Sequence, residues 1–181
     1  LDHQRAKWGR LARTYIMLGE KCAVKFADEI IVLSRGIQDY FRDAYGRETR
    51  FSPNGVTRPE HTEPHLIRER YGLNGGDYIL FLARLTEEKG IRYLIEAYRQ
   101  IRTDKKLVIA GGASDSGQNI RELTARAEGD DRIIFTGFVQ GQLLDELYSN
   151  AYLYVLPSEM EGIPLSLLEA ISYGSCCVVS V

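Results

Sequence analysis

Few features of this sequence mark a special class of protein. Its three cysteines and three histidines are too few and too irregularly spaced for a disulfide framework or a metal-ligand set. No apolar run approaches the roughly 20 residues that a membrane helix needs, and no secretory signal precedes the first helical pattern. The formal net charge of −2 is not the basic excess of nucleic-acid-binding proteins. These absences predict a cytoplasmic protein with no metal ion and no nucleic-acid partner.

The composition is otherwise that of an ordinary globular domain, with 44% hydrophobic and 27% charged residues. The sequence begins at Leu1 without a methionine and stops at Val181 inside a predicted strand, so we expect a piece of a larger protein. Two prolines and alternating charge over 57–65 indicate a linker. We therefore predict an amino-terminal part at 1–56, a linker at 57–66, and a second domain at 67–181 that is truncated at its carboxyl end.

Hydrophobic periodicity predicts the secondary structure. Apolar residues recur at helical spacing over 5–27, and Ser34 is placed to cap a helix that ends near Tyr45. Short strands are predicted at 29–33 and 49–52. In the second domain, strands are predicted at 78–83, 106–110, 132–136, 152–156 and 176–180, and helices at 89–102, 117–128, 142–149 and 164–173. This alternation indicates an α/β fold, a Rossmann-like parallel sheet with helices on both faces. Ligands of such sheets bind at the carboxyl ends of the strands.

The segment after the strand at 152–156 predicts an anion site. Pro164 suits the first position of a helix, because its missing N–H would have no partner there. The backbone N–H groups of Leu165, Ser166 and Leu167 are then left open at the positive end of the helix dipole. Such a helix end is suited to a phosphate.

Two carboxylates flank this helix N-terminus. Glu161 lies in the loop before it, and Glu169 lies one to two turns inside the helix. Carboxylates do not bind a phosphate, so their natural partners are hydroxyl groups attached to it, as in a sugar and a ribose. The pattern therefore predicts a nucleotide-sugar site. The alternative is a favourable charge near a helix N-terminus together with a solvated carboxylate.

Two cations follow the first strand of the second domain. Arg84 comes directly after that strand, and Lys89 opens the next helix. At the carboxyl edge of a parallel sheet they would flank a diphosphate, the guanidinium as a planar fork and the ammonium as a point charge. The alternative is that Lys89 pairs on the surface with Glu87, Glu88 or Tyr93, and such pairs contribute only about 0–1 kcal/mol.

Glycines follow the next two strands. Gly111 and Gly112 let the backbone approach a ligand closely, since neither carries a β-carbon. Gly137, with Phe138 and Val139 after it, is placed to present backbone groups to a nucleobase. In both places the alternative interpretation is that the glycine only forms an ordinary turn after the strand.

Together these segments resemble the retaining nucleotide-sugar glycosyltransferases of the GT-B type, family 4 (glycosyl transferases group 1), chiefly their carboxyl-terminal donor-binding domain. The matching segments are 83–90 (ARLTEEKG), 109–112 (IAGG), 135–138 (FTGF) and 157–170 (PSEMEGIPLSLLEA), followed by Tyr173 and Gly174. Residues 54–56 (NGV) resemble the segment that joins the two domains of that family.

The resemblance implies a role for each matching residue. Arg84 and Lys89 hold the diphosphate, Glu161 contacts the transferred sugar, and Glu169 contacts the ribose hydroxyls. Residues 137–139 line the base pocket. The backbone of the helix entry serves the sugar and the phosphate, and comprises Gly162, Ile163, Pro164, Leu165 and Ser166. Many relatives carry another glycine and an aromatic residue in this last segment, so the sugar pocket differs in detail.

The resemblance also implies a reaction. The parent protein is expected to be a hexosyltransferase that moves a sugar from a nucleotide-diphosphate-sugar donor to a glycan or lipid-linked acceptor in polysaccharide biosynthesis, keeping the anomeric configuration. No Asp-x-Asp sequence of the metal-dependent glycosyltransferase fold is present, so no metal cofactor is implied. Residues 1–56 correspond to the last quarter of the acceptor domain, and we expect the isolated piece to be inactive.

Three alternatives remain open at this point. The chain is either catalytic within its parent or a non-catalytic nucleotide-binding module. An NAD-dependent oxidoreductase is a weaker alternative, because the loop after the first strand lacks the glycine-rich dinucleotide turn. The basic residues of the first helix favour a solvated face, with peripheral contact to anionic lipid at the inner face of the membrane as the other interpretation.

Overall fold

The structure, a computed structural model, describes residues 9–112, 118–159 and 161–180. The chain divides into two compact units, Leu1–Asn54 and Gly55–Val181. The first residues of two predicted helices, 5–8 and 117, lie outside the described residues. Within the described ranges, no helix combines the length and the apolar character that crossing a membrane requires.

The first unit contains two helices and two short parallel strands. They are α1 (Arg10–Phe26), β1 (Ile31–Val32), α2 (Arg35–Tyr45) and β2 (Arg50–Phe51). Ser34 caps α2 as predicted, because its hydroxyl accepts a hydrogen bond from the backbone N–H of Ile37 at 3.3 Å. Glu20 of α1 accepts hydrogen bonds from the hydroxyls of Tyr40 and Tyr45, both at 2.6 Å. These bonds fasten α1 to α2.

The second unit is a five-stranded parallel sheet with helices packed on it, which confirms the predicted fold class. Its elements are α3 (Leu66–Tyr71), β3 (Tyr78–Leu82), α4 (Ile91–Gln100), β4 (Lys106–Ala110), α5 (Gln118–Ala127), β5 (Ile133–Gly137), α6 (Gln142–Ser149), β6 (Leu153–Leu156), α7 (Leu165–Ser172) and β7 (Cys177–Val179). The strand order is β5-β4-β3-β6-β7. Leu80, Phe81, Leu107 and Ile109 of the central strands are fully buried, as the continuous apolar runs predict.

Helix α3 has no clear signal in the sequence, because the residues that hold it lie far along the chain. The buried carboxylate of Glu146, on α6, accepts hydrogen bonds from the backbone N–H groups of His65 and Ile67, both at 3.0 Å. The side chain of Asn150 donates to the carbonyl of Thr62 at 2.9 Å. The end of the predicted linker is therefore fixed to the second unit by polar contacts.

Replacing Glu146 with alanine is expected to lower the free energy of unfolding by about 1–3 kcal/mol, because buried N–H groups lose their acceptor. Glu128→Ala, an exposed change at the end of α5, should stay within about 0.5 kcal/mol of wild type. Urea denaturation of both variants measures the difference. Equal stabilities for the two variants would contradict the assigned role of Glu146.

The same carboxylate gives a pH dependence. Burial acts to raise the pKa of Glu146, but hydrogen bonds from Ile67, Gln142 and His65 outweigh it and hold the pKa below its ordinary value. A lowered folded-state pKa stabilises the protein above the unfolded pKa of about 4.3, and that contribution is lost as the pH falls through the folded value. We therefore expect the stability gap between wild type and Glu146→Gln to shrink below about pH 4.

Candidate functional site

The crevice of interest lies where the strand order reverses. After β3, the strands β4 and β5 add to one side of the sheet, whereas β6 and β7 add to the other. β3 and β6 are direct neighbours, with Ile79 opposite Leu153 and Leu80 opposite Tyr154. The loops that carry Lys89 and Glu161 follow the carboxyl ends of these two strands. Ligands of open α/β sheets bind at such a reversal.

An ion pair joins the two loops across this crevice. The ammonium of Lys89, at the end of a short 3-10 turn, contacts the Oε1 of Glu161. Their side chains are only 13% and 24% exposed. The Ser158 hydroxyl donates to the same carboxylate oxygen at 3.0 Å. The structure thus brings together two predicted site residues, and it pairs Lys89 with Glu161 rather than with the neighbouring glutamates of its own turn.

The backbones of the two loops are also in contact. The N–H of Glu159 donates to the carbonyl of Glu88 at 2.9 Å. Gly90 has a φ of 69°, and a β-carbon on it would lie 1.9 Å from the carbonyl oxygen of Pro157. Gly90 is therefore needed for the approach of the two loops. In the sequence, Gly90 is marked only as the last residue of the segment 83–90 that resembles the glycosyltransferase family.

Arg84 lies at the same edge of the sheet but makes no such contact. It lies two residues after the end of β3, and it is exposed. Within the part of the chain that the structure describes, its guanidinium has no ion pair or side-chain hydrogen bond. The structure therefore brings Lys89 to Glu161 but does not bring Arg84 into contact with either of them.

The entry into α7 differs from the prediction by one residue. Pro164 is the N-cap, with φ −68° and ψ 127°, and the first helical residue is Leu165. The N–H groups of Leu167 and Leu168 both donate to the carbonyl of Pro164 at 3.2 Å, so the amide of Leu167 is not open. Among the described residues, the amides of Leu165 and Ser166 make no hydrogen bond. These two donors remain for an anion at the positive end of the helix.

Glu169 is half-buried on α7 and held by a tyrosine. The Tyr148 hydroxyl lies 2.9 Å from Oε2 of Glu169 and 3.1 Å from the carbonyl oxygen of Ser166. Burial raises the pKa of Tyr148 far above its ordinary value, and the charge of Glu169 adds to the rise. Glu169 is thus not the freely solvated carboxylate of the alternative interpretation.

A second tyrosine connects β3, β6 and α7. The hydroxyl of Tyr154, on β6, lies 3.1 Å from the carbonyl oxygen of Leu82 and 2.9 Å from the hydroxyl of Ser166. Burial is the main cause that raises its pKa, and the carboxylates of Glu161 and Glu169 contribute to the rise. The two acidic side chains therefore both lie within electrostatic reach of one buried hydroxyl. Sequence reasoning missed both tyrosines, because they occupy ordinary apolar positions.

The glycines after β4 and at the end of β5 make close backbone contacts at the sheet edge. Gly111 has a φ of 148°, and a β-carbon on it would lie 1.8 Å from the carbonyl oxygen of Ala83. Its N–H donates to the carbonyl of Gly137 at 2.9 Å, and the carbonyl of Gly112 accepts from Leu85 at 3.0 Å. Close backbone contacts thus account for Gly111 without a ligand.

The residues predicted for the nucleobase lie beside these glycines. Phe138 is 75% exposed and Val139 is buried. A β-carbon on Gly112 would lie 3.7 Å from the β-carbon of Phe138. An exposed aromatic ring next to a strand end offers a flat apolar surface to a planar ligand.

A second concave region lies elsewhere. A cavity of about 670 Å³ opens between α5 and β5, with Ile120, Ile133 and Phe135 in its wall. Its lining includes three acidic residues, Glu128, Asp130 and Asp131, and one basic residue, Arg121. This charge balance is poorly suited to a diphosphate, which carries negative charge itself. The described residues contain no cluster of histidine, cysteine or acidic side chains that is arranged to hold a metal ion.

Comparisons with known families divide the chain at a similar place. Residues 65–181 match the family described as glycosyl transferases group 1, and residues 1–56 match a domain of unknown function, DUF1972. An uncharacterized glycosyltransferase of Methanocaldococcus jannaschii is 41% identical over 56% of this chain and 26% of its own length. The α-D-kanosaminyltransferase of Streptomyces kanamyceticus is 32% identical over 94% of this chain and 47% of its own length.

Solved structures share the fold. Sucrose-phosphate synthase from Thermosynechococcus elongatus superposes with a TM-score of 0.80 at 27% identity, over 98% of this chain and 47% of that one. Anabaena HepE in complex with UDP and glucose gives a TM-score of 0.80 at 24% identity, over 92% and 48% of the two chains. The chain spans about half the length of these proteins or less.

Proposed function

The chain belongs to the glycosyl transferases group 1 family, and from that premise we propose that the protein transfers a sugar from a nucleotide-diphosphate-sugar donor. The crevice between β3 and β6 is the proposed donor site. The observation that carries this proposal is the Lys89–Glu161 ion pair at the strand-order reversal. The names of two relatives, a kanosaminyltransferase and a sucrose-phosphate synthase, also refer to sugars.

The diphosphate is assigned to the positive groups of this edge. Lys89 leaves Glu161 and pairs with the β-phosphate, while the amides of Leu165 and Ser166 donate to it at the helix N-terminus. Arg84, exposed at the same edge, turns its guanidinium toward the same group. Glu161, released from the ammonium, accepts hydrogen bonds from hydroxyls of the donor sugar.

The nucleoside is assigned to the neighbouring strand ends. Glu169, oriented by Tyr148, accepts from the ribose hydroxyls, and the base lies against Phe138 and the backbone of 137–139. The glycine-rich ends Gly111 and Gly112 border this region. No metal cofactor takes part in the proposed site.

The proposed catalysis depends on the negative charge that develops on the leaving diphosphate. When the bond between sugar and β-phosphate breaks, the leaving diphosphate gains charge, and fixed donors stabilise it more in the transition state than in the ground state. Each such donor contributes about 2.7–4 kcal/mol by analogy with oxyanion holes. We propose that the reaction is a hexosyl transfer that retains the anomeric configuration, as in family 4, without a protein nucleophile.

The remaining assignments concern the protein as a whole. We propose a glycan or lipid-linked acceptor, a role in polysaccharide biosynthesis, and a cytoplasmic location with peripheral contact to the inner face of the membrane. The chain covers 47% of the kanosaminyltransferase. This partial coverage favours a second candidate function for the 181 residues taken by themselves. In isolation they would bind the nucleotide without transferring the sugar.

A donor screen tests the proposed function. The intact protein is incubated with UDP-, GDP- and other nucleotide sugars together with a mixture of glycan and lipid-linked acceptors, and released nucleoside diphosphate is measured. We expect one donor class to give acceptor-dependent release. Nucleotide binding without release from any donor would support the non-catalytic module, and neither binding nor release would refute the donor site.

A further inference from the structure

Two buried tyrosines lie next to one residue of the first turn of α7. Tyr154 is fully buried on β6, and Tyr148 is 2% exposed on α6. The hydroxyl of Ser166 lies 2.9 Å from the hydroxyl of Tyr154, and the carbonyl oxygen of Ser166 lies 3.1 Å from the hydroxyl of Tyr148. The side chain of Ser166 is thus bonded to Tyr154, next to the open amide of the same residue, and Tyr148 lies against its carbonyl oxygen.

The number of available protons determines which group donates in each of these hydrogen bonds. A tyrosine hydroxyl has one proton, and the carbonyl of Leu82 can only accept, so Tyr154 donates to Leu82 and receives the proton of Ser166. Tyr148 has two acceptors, and its proton goes to the Glu169 carboxylate, because a charged acceptor makes the stronger bond. Tyr154 therefore ties the start of α7 to the end of β3.

The ring packing leaves little freedom to these hydroxyls. Tyr148 stacks on Tyr173 with ring centroids 5.3 Å apart and planes 15° from parallel. The hydroxyl of Tyr173 donates to Asp145 at 2.7 Å. The centroids of Tyr148 and Tyr154 are 6.3 Å apart. The packed rings of Tyr148, Tyr154 and Tyr173 thus support the first turn of α7.

We propose that Tyr154 and Tyr148 are positioning residues of the donor site, an inference that rests on the proposed function. Tyr154 sets the direction in which the amides of Leu165 and Ser166 point. Tyr148 sets the position of the Glu169 carboxylate. Neither tyrosine touches the donor. Their hydroxyls act through α7, so their loss weakens nucleotide binding beyond any loss of stability.

The test compares the loss of buried hydroxyls that contact α7 with the loss of one that contacts α6 instead. Tyr154→Phe and Tyr148→Phe remove hydroxyls under the crevice. Tyr78→Phe is the matched control, because the Tyr78 hydroxyl is equally buried at the start of β3 and bonds to the carbonyl of Leu147 at 2.8 Å. Binding of UDP and GDP to the intact protein is measured by calorimetry, and the midpoint of thermal unfolding is measured for every variant.

All three variants are expected to lose a few degrees in the unfolding midpoint. Tyr154→Phe and Tyr148→Phe should raise the Kd for the bound diphosphate about 3- to 10-fold, whereas Tyr78→Phe should leave it within about 2-fold. Ser166→Ala should reproduce the effect of Tyr154→Phe, and the double variant should add little, because both changes remove the same contact.

The outcomes separate the two proposals. If the wild-type protein binds neither UDP nor GDP nor any other nucleoside diphosphate, the donor site fails and the inference falls with it. If the wild type binds one of them and Tyr154→Phe changes the Kd no more than Tyr78→Phe does, the tyrosines serve stability alone and only this inference is overturned. Should Tyr154→Phe fail to fold, Ser166→Ala decides the question by the same Kd criterion.

Discussion

Replacing Lys89 with alanine is expected to lower the rate of sugar transfer by about 10²–10³-fold without unfolding the protein. The ammonium contacts Glu161 across the crevice. Its removal takes away a donor to the departing diphosphate and also leaves the Glu161 carboxylate uncompensated, so that a negative ligand meets a net negative site. Steady-state kinetics with the donor found in the screen measure the loss.

A matched control is available in the same domain. Lys105→Ala removes the same charge at the opposite end of the sheet, where the ammonium lies over the ring of Tyr152 at 5.0 Å. This variant should keep its transfer rate within about 2-fold, because the charge is distant from the crevice and screened by salt. Arg84→Ala is expected to slow transfer strongly as well. Near-normal rates in Lys89→Ala and Arg84→Ala would show that the diphosphate is held elsewhere.

Replacing Gly90 with alanine is expected to lower the free energy of unfolding by about 2–5 kcal/mol. The left-handed backbone at φ 69° costs a residue with a β-carbon about 1–2 kcal/mol. The new β-carbon would also lie 1.9 Å from the carbonyl oxygen of Pro157, and relieving such overpacking costs about 1–3 kcal/mol more. The relief must separate the two loops that carry Lys89 and Glu161, so transfer should fall with stability.

Gly72→Ala isolates the contribution of the backbone conformation. Gly72 has a φ of 62°, and a β-carbon on it would meet no neighbouring atom within 4 Å, so its substitution should cost only about 1–2 kcal/mol. Urea unfolding of the two variants measures the difference. If both variants lose the same free energy of unfolding, the loop after β6 moves away from the new β-carbon at no energetic cost. The contact between Gly90 and Pro157 would then not fix the site.

The parts of the fold that depend on local pattern are predictable from the sequence. The continuous apolar run 78–83 and the glycine pair after 106–110 predict two buried parallel strands, and the structure has β3 and β4 there. Since the carboxyl ends of parallel strands meet at one edge, Lys89 and Glu161 are expected in one crevice, and they are in contact. Hydrophobic periodicity and sheet topology are therefore sufficient to predict these strands and the meeting of these two residues.

The parts that depend on distant side chains are not predictable in this way. Tyr154 fits the apolar pattern of its strand, and its hydroxyl becomes informative only when Leu82 and Ser166 are seen beside it. The role of Gly90 depends on Pro157, which lies far along the chain. The sequence predicts Pro164 at the first helical position, and only the backbone angles assign it to the N-cap.

The proposed donor site is tested by the location of a bound nucleoside diphosphate. A crystal structure of the intact protein with UDP, GDP or the diphosphate selected by the donor screen should place the terminal phosphate within hydrogen-bond distance of the Lys89 ammonium and the amides of Leu165 and Ser166. Glu161 should then be released from Lys89. A diphosphate bound in the cavity between α5 and β5, with the Lys89–Glu161 pair intact, would contradict the proposed donor site.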